Sequence, residues 1–254
     1  MEFVLYMFIG CLVGIVGAML GIGGGIVIVP LLTFAFGFTP QTAIGTSMMV
    51  VLLNALSGTI GYLRQRKVCL DAAWKFALAT VPGAFLGSYA SEFLKGRIFF
   101  AVFGTFFFLF AIHMFHKAGK KTEQSASEEV PEHYNWQFGV ASSIVVGFIA
   151  SILGIGGGVI HVPMMTYVLH FPVKVAIATS TAILAVSAVS GGISHAALGH
   201  VVWITALGLG LGASLGAQLG VRLAVKAKSA RLMQCTAVLV MLTAIKFLLT
   251  ALGY

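Results

Sequence analysis

The residues Gly21-Ile22-Gly23-Gly24-Gly25 recur as Gly154-Ile155-Gly156-Gly157-Gly158, which begins 133 residues further along the chain. Other matches share this offset: Val29-Pro30 with Val162-Pro163, Thr46-Ser47 with Thr179-Ser180, Ser57-Gly58 with Ser190-Gly191, and Gly83 and Gly87 with Gly216 and Gly220. Self-similarity at a fixed offset indicates a duplicated structural unit. The chain therefore consists of two tandem copies of one unit, and no gap is needed to align them.

The residues around the two glycine motifs are strongly apolar. Of the 254 residues, 59% are hydrophobic and only 9% are charged, and the mean hydropathy is +1.03. A soluble domain carries about a quarter charged residues. Apolar stretches on the order of 20 residues, long enough to cross a bilayer, recur along nearly the whole chain. The composition predicts an all-α polytopic membrane protein with about eight to ten transmembrane segments and no separate soluble domain.

Residues 117–135 form the one polar stretch and hold four of the seven acidic residues. They predict a solvated linker between a first transmembrane repeat (1–116) and a second (136–254). Each repeat divides into five apolar segments: 3–20, 25–37, 41–62, 76–93 and 98–115, then 137–153, 158–170, 175–194, 201–221 and 232–252. The second segment of each repeat has about 13 residues, too few to span a core of roughly 30 Å as a helix. These two segments, with Pro30 and Pro163 as structural hinges, are expected to be half-helices or hairpin arms.

The basic residues predict how the two repeats are oriented. In the first repeat Arg64, Arg66 and Lys67 follow the third segment, whereas the matching loop of the second repeat, 196–202, has neither Lys nor Arg. There the basic cluster lies one loop later, at Arg222, Lys226, Lys228 and Arg231. Because cytoplasmic loops carry the excess of Lys and Arg, the two repeats are expected to be inverted, in the inner membrane. The linker is then cytoplasmic and both termini lie outside, although Lys95 and Arg97 run against this pattern.

The sequence lacks the marks of several other functions. It contains no His-Glu-x-x-His, no phosphate-binding loop and no Gly-x-Ser-x-Gly, so we do not expect an enzyme or a cofactor. The net charge of +8 comes from short loops and not from a basic stripe, so no nucleic-acid partner is expected. The three cysteines have no metal-ligand spacing. All seven acidic residues lie at segment ends or in the linker, which argues against carboxylate-based cation transport and favours an anion.

The glycine motifs are the strongest candidates for a binding site. Backbone N–H groups left unpaired inside an apolar segment survive only when they are buried in protein or line a cavity. Where a half-helix follows, its free N–H groups and positive dipole end point at whatever fills that cavity. Two inverted copies would bring two such ends together near the midplane, with the candidate residues Gly21, Gly23, Gly24, Gly25, Gly154, Gly156, Gly157 and Gly158. The alternative is that these glycines only allow close helix packing, the role assigned to Gly83, Gly87, Gly216 and Gly220.

Hydroxyl and amide side chains follow each glycine motif on shared helix faces. The candidates that could donate hydrogen bonds to an oxyanion are Thr46, Ser47, Asn54 and Ser57 with Thr179, Ser180, Ser187 and Ser190. The alternative is that they bond between helices or to the preceding turn of their own helix. His161, where the first repeat has Ile28, and His195, where it has Tyr62, are the candidates for carrying a proton; His113, His116, His170 and His200 are expected to be interfacial.

The doubled glycine motif, each copy followed by a proline, a Thr-Ser pair and a Ser-Gly, resembles the TauE/SafE (sulfite exporter) family over nearly the whole chain. The motif maps onto residues 21–30 and 154–163. The resemblance implies export of a small sulfur oxyanion or organosulfonate such as sulfite. We expect alternating access by one repeat rocking against the other, in contact with the lipid bilayer and with a possible coupling proton or sodium ion. A homo-oligomer, a passive anion channel, uptake or export of another small organic anion, and a non-transporting scaffold remain open.

Overall fold

The computed structural model describes residues 2–93, 96–121, 131 and 134–253, with the backbone alone at 116–121 and 229. The part of the chain so described is helical and contains no strand. The helices are α1 (Glu2–Leu20), α2 (Gly25–Pro30), α3 (Pro40–Arg64), α4 (Leu70–Ala90), α5 (Gly96–Lys121), α6 (Trp136–Leu153), α7 (Gly158–Tyr167), α8 (Val173–Ala197), α9 (Trp203–Lys226) and α10 (Ser229–Leu252). The prediction of an all-α protein is confirmed.

Seven of the described helices are long and apolar enough to cross a membrane, namely α1, α3, α5, α6, α8, α9 and α10. Their outward faces carry large apolar side chains that lipid can solvate, such as Phe8, Leu215 and Leu242. The chain is thus a polytopic membrane protein, as its composition predicts. Helix α4 begins at Leu70, earlier than the expected 76, because the i,i+4 ion pair between Asp71 and Lys75 stabilises its polar first turn.

The two short segments are arms of hairpins. Helix α2 continues after Pro30 into a π-helical turn, Leu31–Ala35, and returns alongside α1, so that the rings of Tyr6 and Phe36 lie 5.5 Å apart. Helix α7 likewise returns alongside α6. Each hairpin turns at its glycine motif, where the φ angles lie between +68° and +93° at Gly21, Gly23, Gly24, Gly154, Gly156 and Gly157. Side chains with a Cβ rarely adopt this left-handed conformation, which explains why glycine is used.

Helices α3 and α8 form the centre of the bundle and pack antiparallel. Thr59 near the end of α3 hydrogen-bonds to the carbonyl of Thr181 in the first half of α8. Met48, in the first half of α3, lies against Gly191 near the end of α8. The hairpin tips contact the middle of these helices, because Gly23 and Gly156 both contact Val51 of α3. The fold therefore holds both glycine motifs in the interior of the bundle.

The fourth helix of each copy packs on the hairpin of the other copy. On α4, a Cβ at Gly83 would lie 2.0 Å from the carbonyl oxygen of Ile144 in α6. On α9, a Cβ at Gly216 would lie 2.1 Å from the carbonyl oxygen of Cys11 in α1. Gly87 and Gly220 make equivalent contacts one turn further on, so the predicted packing role of all four glycines is confirmed. Helices α5 and α10 pack against each other, and phenylalanine rings join them to the π-helical turn.

The helix ends collect at two opposite ends of the bundle. At the end we call the linker end, Tyr134 donates a hydrogen bond to the carboxylate of Asp71 and packs its ring on Phe171. Burial, together with that hydrogen bond, raises the pKa of Tyr134. At the other end, called the terminal end, Glu92 pairs with His200. The directions of the helices show which charged residues lie at each end. At the linker end lie Arg64, Arg66, Lys67, Lys75, Lys174, Arg222, Lys226, Lys228 and Arg231. At the terminal end lie Glu2, Glu92, Arg97 and Lys246. Lys95 and the side chains of His116, Lys117, Lys120 and Lys121 lie outside the described residues.

Candidate functional site

The two hairpin tips meet in the interior of the protein. A Cβ at Gly25 would lie 2.6 Å from the carbonyl oxygen of Gly154, and a Cβ at Gly158 would lie 2.1 Å from that of Gly21. All four glycines are buried. Since only hydrogen atoms separate the two backbones here, any side chain at Gly25 or Gly158 would push the tips apart. The structure thus brings together the two motifs that the sequence singled out.

Two serines tie each tip to the other copy. The Ser47 hydroxyl donates a hydrogen bond to the Gly154 carbonyl over 2.8 Å, and the Ser180 hydroxyl donates one to the Gly21 carbonyl over 3.1 Å. The two bonds are related by the repeat offset and run in opposite senses between the copies. Both serines therefore use their hydroxyl groups to bind the first carbonyl of a glycine motif.

The first N–H groups after each turn are free. No acceptor among the described residues bonds to the amides of Gly24, Gly25 and Ile26, nor to those of their repeat counterparts Gly157, Gly158 and Val159. They are the donors that the beginning of any helix leaves unsatisfied, and the helix dipole adds partial positive charge at the same place. The hairpins therefore place two clusters of buried N–H donors at the centre of the bundle.

Buried polar side chains without hydrogen-bond partners occur on α3 and α8, the helices that the tips contact. Asn54 is 1% exposed, and neither polar atom of its amide is hydrogen-bonded. A Cβ built on Gly17 would lie 2.8 Å from Nδ2 of Asn54 and 2.5 Å from the nitrogen of Gly24, so the amide lies close to the Gly24 N–H. Ser187, the repeat counterpart of Asn54, is equally buried and unpartnered. His161 binds the Ser143 hydroxyl through Nε2 over 3.1 Å, while its Nδ1 faces Gly157. Buried polar groups are nearly always paired, so these exceptions are candidates for binding a ligand.

The remaining predicted residues have partners elsewhere. Thr46 accepts a hydrogen bond from the Val202 N–H and Thr179 accepts one from the Cys69 N–H, so the pair holds the segments that lead into α9 and α4. Ser57 lies between α3 and α9, bonded to the Ser214 carbonyl and to Gln218, and Ser190 bonds back to Val186 of its own helix. The structure does not bring these four side chains into contact with the glycine motifs; they make the interhelical and back-bonded contacts of the alternative interpretation. Pro30 lies where α2 passes into the π-helical turn, and Pro163 lies inside α7.

Val51 and Leu184 fill the space between the tips. They occupy equivalent positions in α3 and α8, both are fully buried, and both contact Gly23 and Gly156. Neither side chain is polar, so the pattern of polar residues in the sequence gives no sign of this pair.

The interior of the described chain contains no charged side chain. The buried polar side chains of the described chain are Ser, Thr, Asn and His, with no Asp, Glu, Lys or Arg among them. No cluster of three potential metal ligands occurs among the same residues. A cavity of about 410 Å³ lies between α4, α5 and α6, but Phe93, Val102, Phe106, Phe148 and other apolar side chains line it entirely. That cavity offers no side-chain donor to an anion.

Broken helices that meet inside a bundle of membrane-spanning helices define the class of multi-pass membrane transporters in which discontinuous helix ends form the substrate site. Residues 6–247 match the family described as Sulfite exporter TauE/SafE, and the chain belongs to that family. It is 36% identical over 228 residues to the probable membrane transporter protein YunE of Bacillus subtilis, covering 82% of this chain and 84% of the relative. It is 30% identical over 201 residues to the probable membrane transporter protein MJ0441 of Methanocaldococcus jannaschii, covering 75% and 71%. No solved structure matches. The protein is a membrane transporter.

Proposed function

We propose that this transporter exports a small oxyanion, sulfite or a related sulfur anion or organosulfonate, by alternating access. The observation that carries the proposal is the pair of free N–H clusters that follow the two glycine turns. Donors of this kind at helix starts bind anions without a charged side chain. The description of the matched family names sulfite, and the absence of buried carboxylates among the described residues favours a substrate that is itself negative.

The anion would bind between the tips, with the amides of Gly24, Gly25, Gly157 and Gly158 as donors. Asn54 and Ser187, which are related by the repeat offset, would supply further donors from α3 and α8. An unsatisfied buried polar group destabilises the folded state by about 1–3 kcal/mol. Such groups are expected where a substrate satisfies them during transport. His161 is a third candidate, since its Nδ1 faces Gly157.

We infer that the two copies are inverted repeats, which the antiparallel packing of α3 and α8 supports. The moving units, however, would not be the two copies themselves. Because α4 packs on α6 and α9 packs on α1 through glycine-to-backbone contacts, one unit contains α1, α2, α3 and α9 and the other contains α4, α6, α7 and α8. Rocking along the α3–α8 contact would withdraw Val51 or Leu184 from between the tips and open the site to one side at a time.

The proposed orientation places the linker end in the cytoplasm. The basic residues that define this end greatly outnumber the single acidic residue described there, Asp71. The terminal end carries Glu2 and Glu92 together with Arg97 and Lys246. Cytoplasmic loops of inner-membrane proteins carry the excess of Lys and Arg, so both termini would face outward.

Counterflow in proteoliposomes tests the proposed function. Vesicles loaded with unlabelled sulfite are diluted into [³⁵S]sulfite, with sulfate, thiosulfate, sulfoacetate and acetate as competitors. A carrier gives a saturable, transient accumulation of label that the correct substrates suppress. Flux without saturation or counterflow would indicate a channel, and no flux with any of these anions, in vesicles that contain correctly inserted protein, would contradict anion transport.

A further inference from the structure

The apolar cavity between α4, α5 and α6 lies in the membrane-spanning part of the protein, toward the terminal end. Eight side chains without a polar atom line its volume of about 410 Å³: Ala90, Phe93, Val102, Phe103, Phe106, Phe148, Ile149 and Ile152. Helices α5 and α6 are both long and apolar enough to cross a membrane. The medium around the cavity is therefore the hydrocarbon of the bilayer and not water.

The cavity exists because α5 packs on α10 and stands away from α4 and α6. The ring of Phe247 in α10 lies 5.8 Å from that of Phe100 and 6.4 Å from that of Phe107. Val102 and Phe106 lie on a neighbouring face of α5 and line the cavity instead. Helices α4 and α6 pack closely on each other through glycines. A gap thus remains between this pair and α5.

The cavity opens sideways, toward the surface that faces lipid. At its mouth Phe93 is 87% exposed, Val102 is 48% exposed and Phe148 is 37% exposed. Phe103 and Ile152 form its floor and are only 4% and 6% exposed. A side chain that borders an unfilled space loses its van der Waals partners on that side. The floor is therefore a surface that hydrocarbon from the bilayer can cover.

The dimensions of the cavity fit one acyl chain and not a helix. On α5 the lining reaches Phe106, ten residues after the first residue of the helix, Gly96, which is a length of about 15 Å at 1.5 Å per residue. The hydrocarbon core is about 30 Å thick, so this length matches the chains of one leaflet. A helix with its side chains is about 10 Å across, so two turns of it occupy roughly 850 Å³. That is about twice the space available here.

The equivalent positions of the other copy carry side chains of a different kind. Lys226 lies 133 residues after Phe93 and takes its place. Thr236 likewise takes the place of Phe103, and its hydroxyl bonds back to its own helix. Helix α10 also packs on α1 there. The wholly apolar lining is therefore particular to the side of the protein that α4, α5 and α6 form.

We propose that the cavity between α4, α5 and α6 binds one acyl chain of a membrane lipid, from the leaflet at the terminal end. The chain covers the arm of the second hairpin just before its turn, because Ile152 lies two residues before Gly154. It lies between α5 and one of the two units that are proposed to move, the unit that contains α4 and α6. The site is separate from the hairpin tips, and its occupation does not depend on which anion is carried.

Quenching of tryptophan fluorescence by a brominated lipid tests this site, because bromine quenches only an indole that it approaches closely. The full chain is used, with Trp74, Trp136 and Trp203 replaced by phenylalanine. One tryptophan is then introduced at Phe103, on the floor of the cavity. The protein is reconstituted into vesicles of phosphatidylcholine that carries bromine on one acyl chain. Vesicles of the same lipid without bromine give the unquenched fluorescence.

Helix α5 supplies the matched controls. Phe99→Trp and Phe107→Trp place the indole one turn before and one turn after Phe103, at positions that are each 1% exposed and do not line the cavity. Leu109→Trp, at a position 62% exposed, gives the quenching by the surrounding lipid. We expect the quenched fraction of Phe103→Trp to be at least about threefold larger than that of the two buried controls and close to that of Leu109→Trp. Quenching of Phe103→Trp equal to that of the buried controls would overturn the proposal, and a helix of a second copy in the cavity would give that same result.

A substitution that fills the cavity provides the second measurement. Ala90→Phe adds a ring to the lining and should lower the quenching of Phe103→Trp at least about twofold. Leu86→Phe adds a ring at an exposed position of α4 outside the lining and should leave the quenching unchanged. Equal quenching in these two variants would contradict entry of the chain between the helices. Ile152→Trp reports from the α6 wall, so the same outcomes decide the proposal if Phe103→Trp does not fold.

Discussion

One methyl group at the contact between the hairpin tips should disrupt both stability and transport. In Gly158→Ala the new Cβ would lie 2.1 Å from the Gly21 carbonyl oxygen, whereas real Cβ atoms keep at least 3.0 Å from such neighbours. The obstacle is backbone and cannot rotate away, so the tips must separate. Overpacking of this kind destabilises a protein by about 1–3 kcal/mol. For a chain of this size that corresponds to a lowering of the thermal midpoint by roughly 2–12 °C.

Gly25→Ala is the repeat-related test of the same contact, with a Cβ placed 2.6 Å from the Gly154 carbonyl oxygen. Because both methyl groups force apart the same two tips, the double variant should lose less stability than the sum of the single losses, by about 0.5 kcal/mol or more. Gly192→Ala is the control. It faces only the flexible end of Met49 at 3.4 Å, and within a helix it should be neutral or stabilising by up to about 1 kcal/mol.

The assay combines thermal unfolding in detergent with sulfite counterflow in vesicles at a temperature well below the midpoints. We expect both single variants at the tips to lose at least tenfold in counterflow rate, and Gly192→Ala to keep the rate of the unaltered protein. If Gly158→Ala and Gly25→Ala are both as stable and as active as Gly192→Ala, the tips do not meet as described. Strictly additive losses of stability would contradict the shared contact.

Three further expectations concern the tie between the copies, the unpartnered amide and the orientation. Ser47→Ala leaves the buried Gly154 carbonyl without its side-chain donor and should lower the free energy of unfolding by about 1–3 kcal/mol. The control Ser190→Ala removes only a bond within its own helix and should change that free energy by no more than about 0.5 kcal/mol. Equal thermal midpoints of the two variants in detergent would argue against the Ser47–Gly154 bond. Asn54→Leu removes an unpaired buried amide at similar volume and should raise the thermal midpoint, so a fall would show that the amide has a structural partner. In a cysteine-free chain, an impermeant thiol reagent applied to intact cells should label Leu252→Cys but should label Lys228→Cys only after permeabilisation, and the reverse pattern would contradict the proposed orientation.

Much of the fold follows from the repeat and the hydropathy. The offset of 133 residues located the two hairpin turns, because glycine adopts the left-handed backbone of Gly24 and Gly157 without the strain that a Cβ brings. The length of the short segments predicted arms that do not cross the membrane alone. The packing of α4 and α9 on the hairpin of the other copy could not be predicted. A contact such as that between Gly83 and Ile144 joins residues that no periodicity in the sequence relates.

The site was predictable only in part. The sequence marks where hydroxyl groups occur, but it does not show which of them have partners: Thr46 and Ser57 are bonded to other helices, whereas Asn54 and Ser187 have no partner. That distinction depends on the packing of neighbouring helices. Val51 carries no polar signal at all, although its repeat relation to Leu184 is present in the sequence.

The central claim, that the two hairpin tips with Asn54 and Ser187 form the anion site, is tested most directly by [³⁵S]sulfite counterflow in the double variant Asn54→Leu/Ser187→Ala. Both substitutions remove unpartnered polar groups, so the protein should remain folded. Ser190→Ala is the matched control, because its hydroxyl bonds only within α8. We predict that the double variant exchanges sulfite at least tenfold more slowly than the control at equal protein content. Exchange at the rate of the control, with unchanged KM, would place the anion elsewhere.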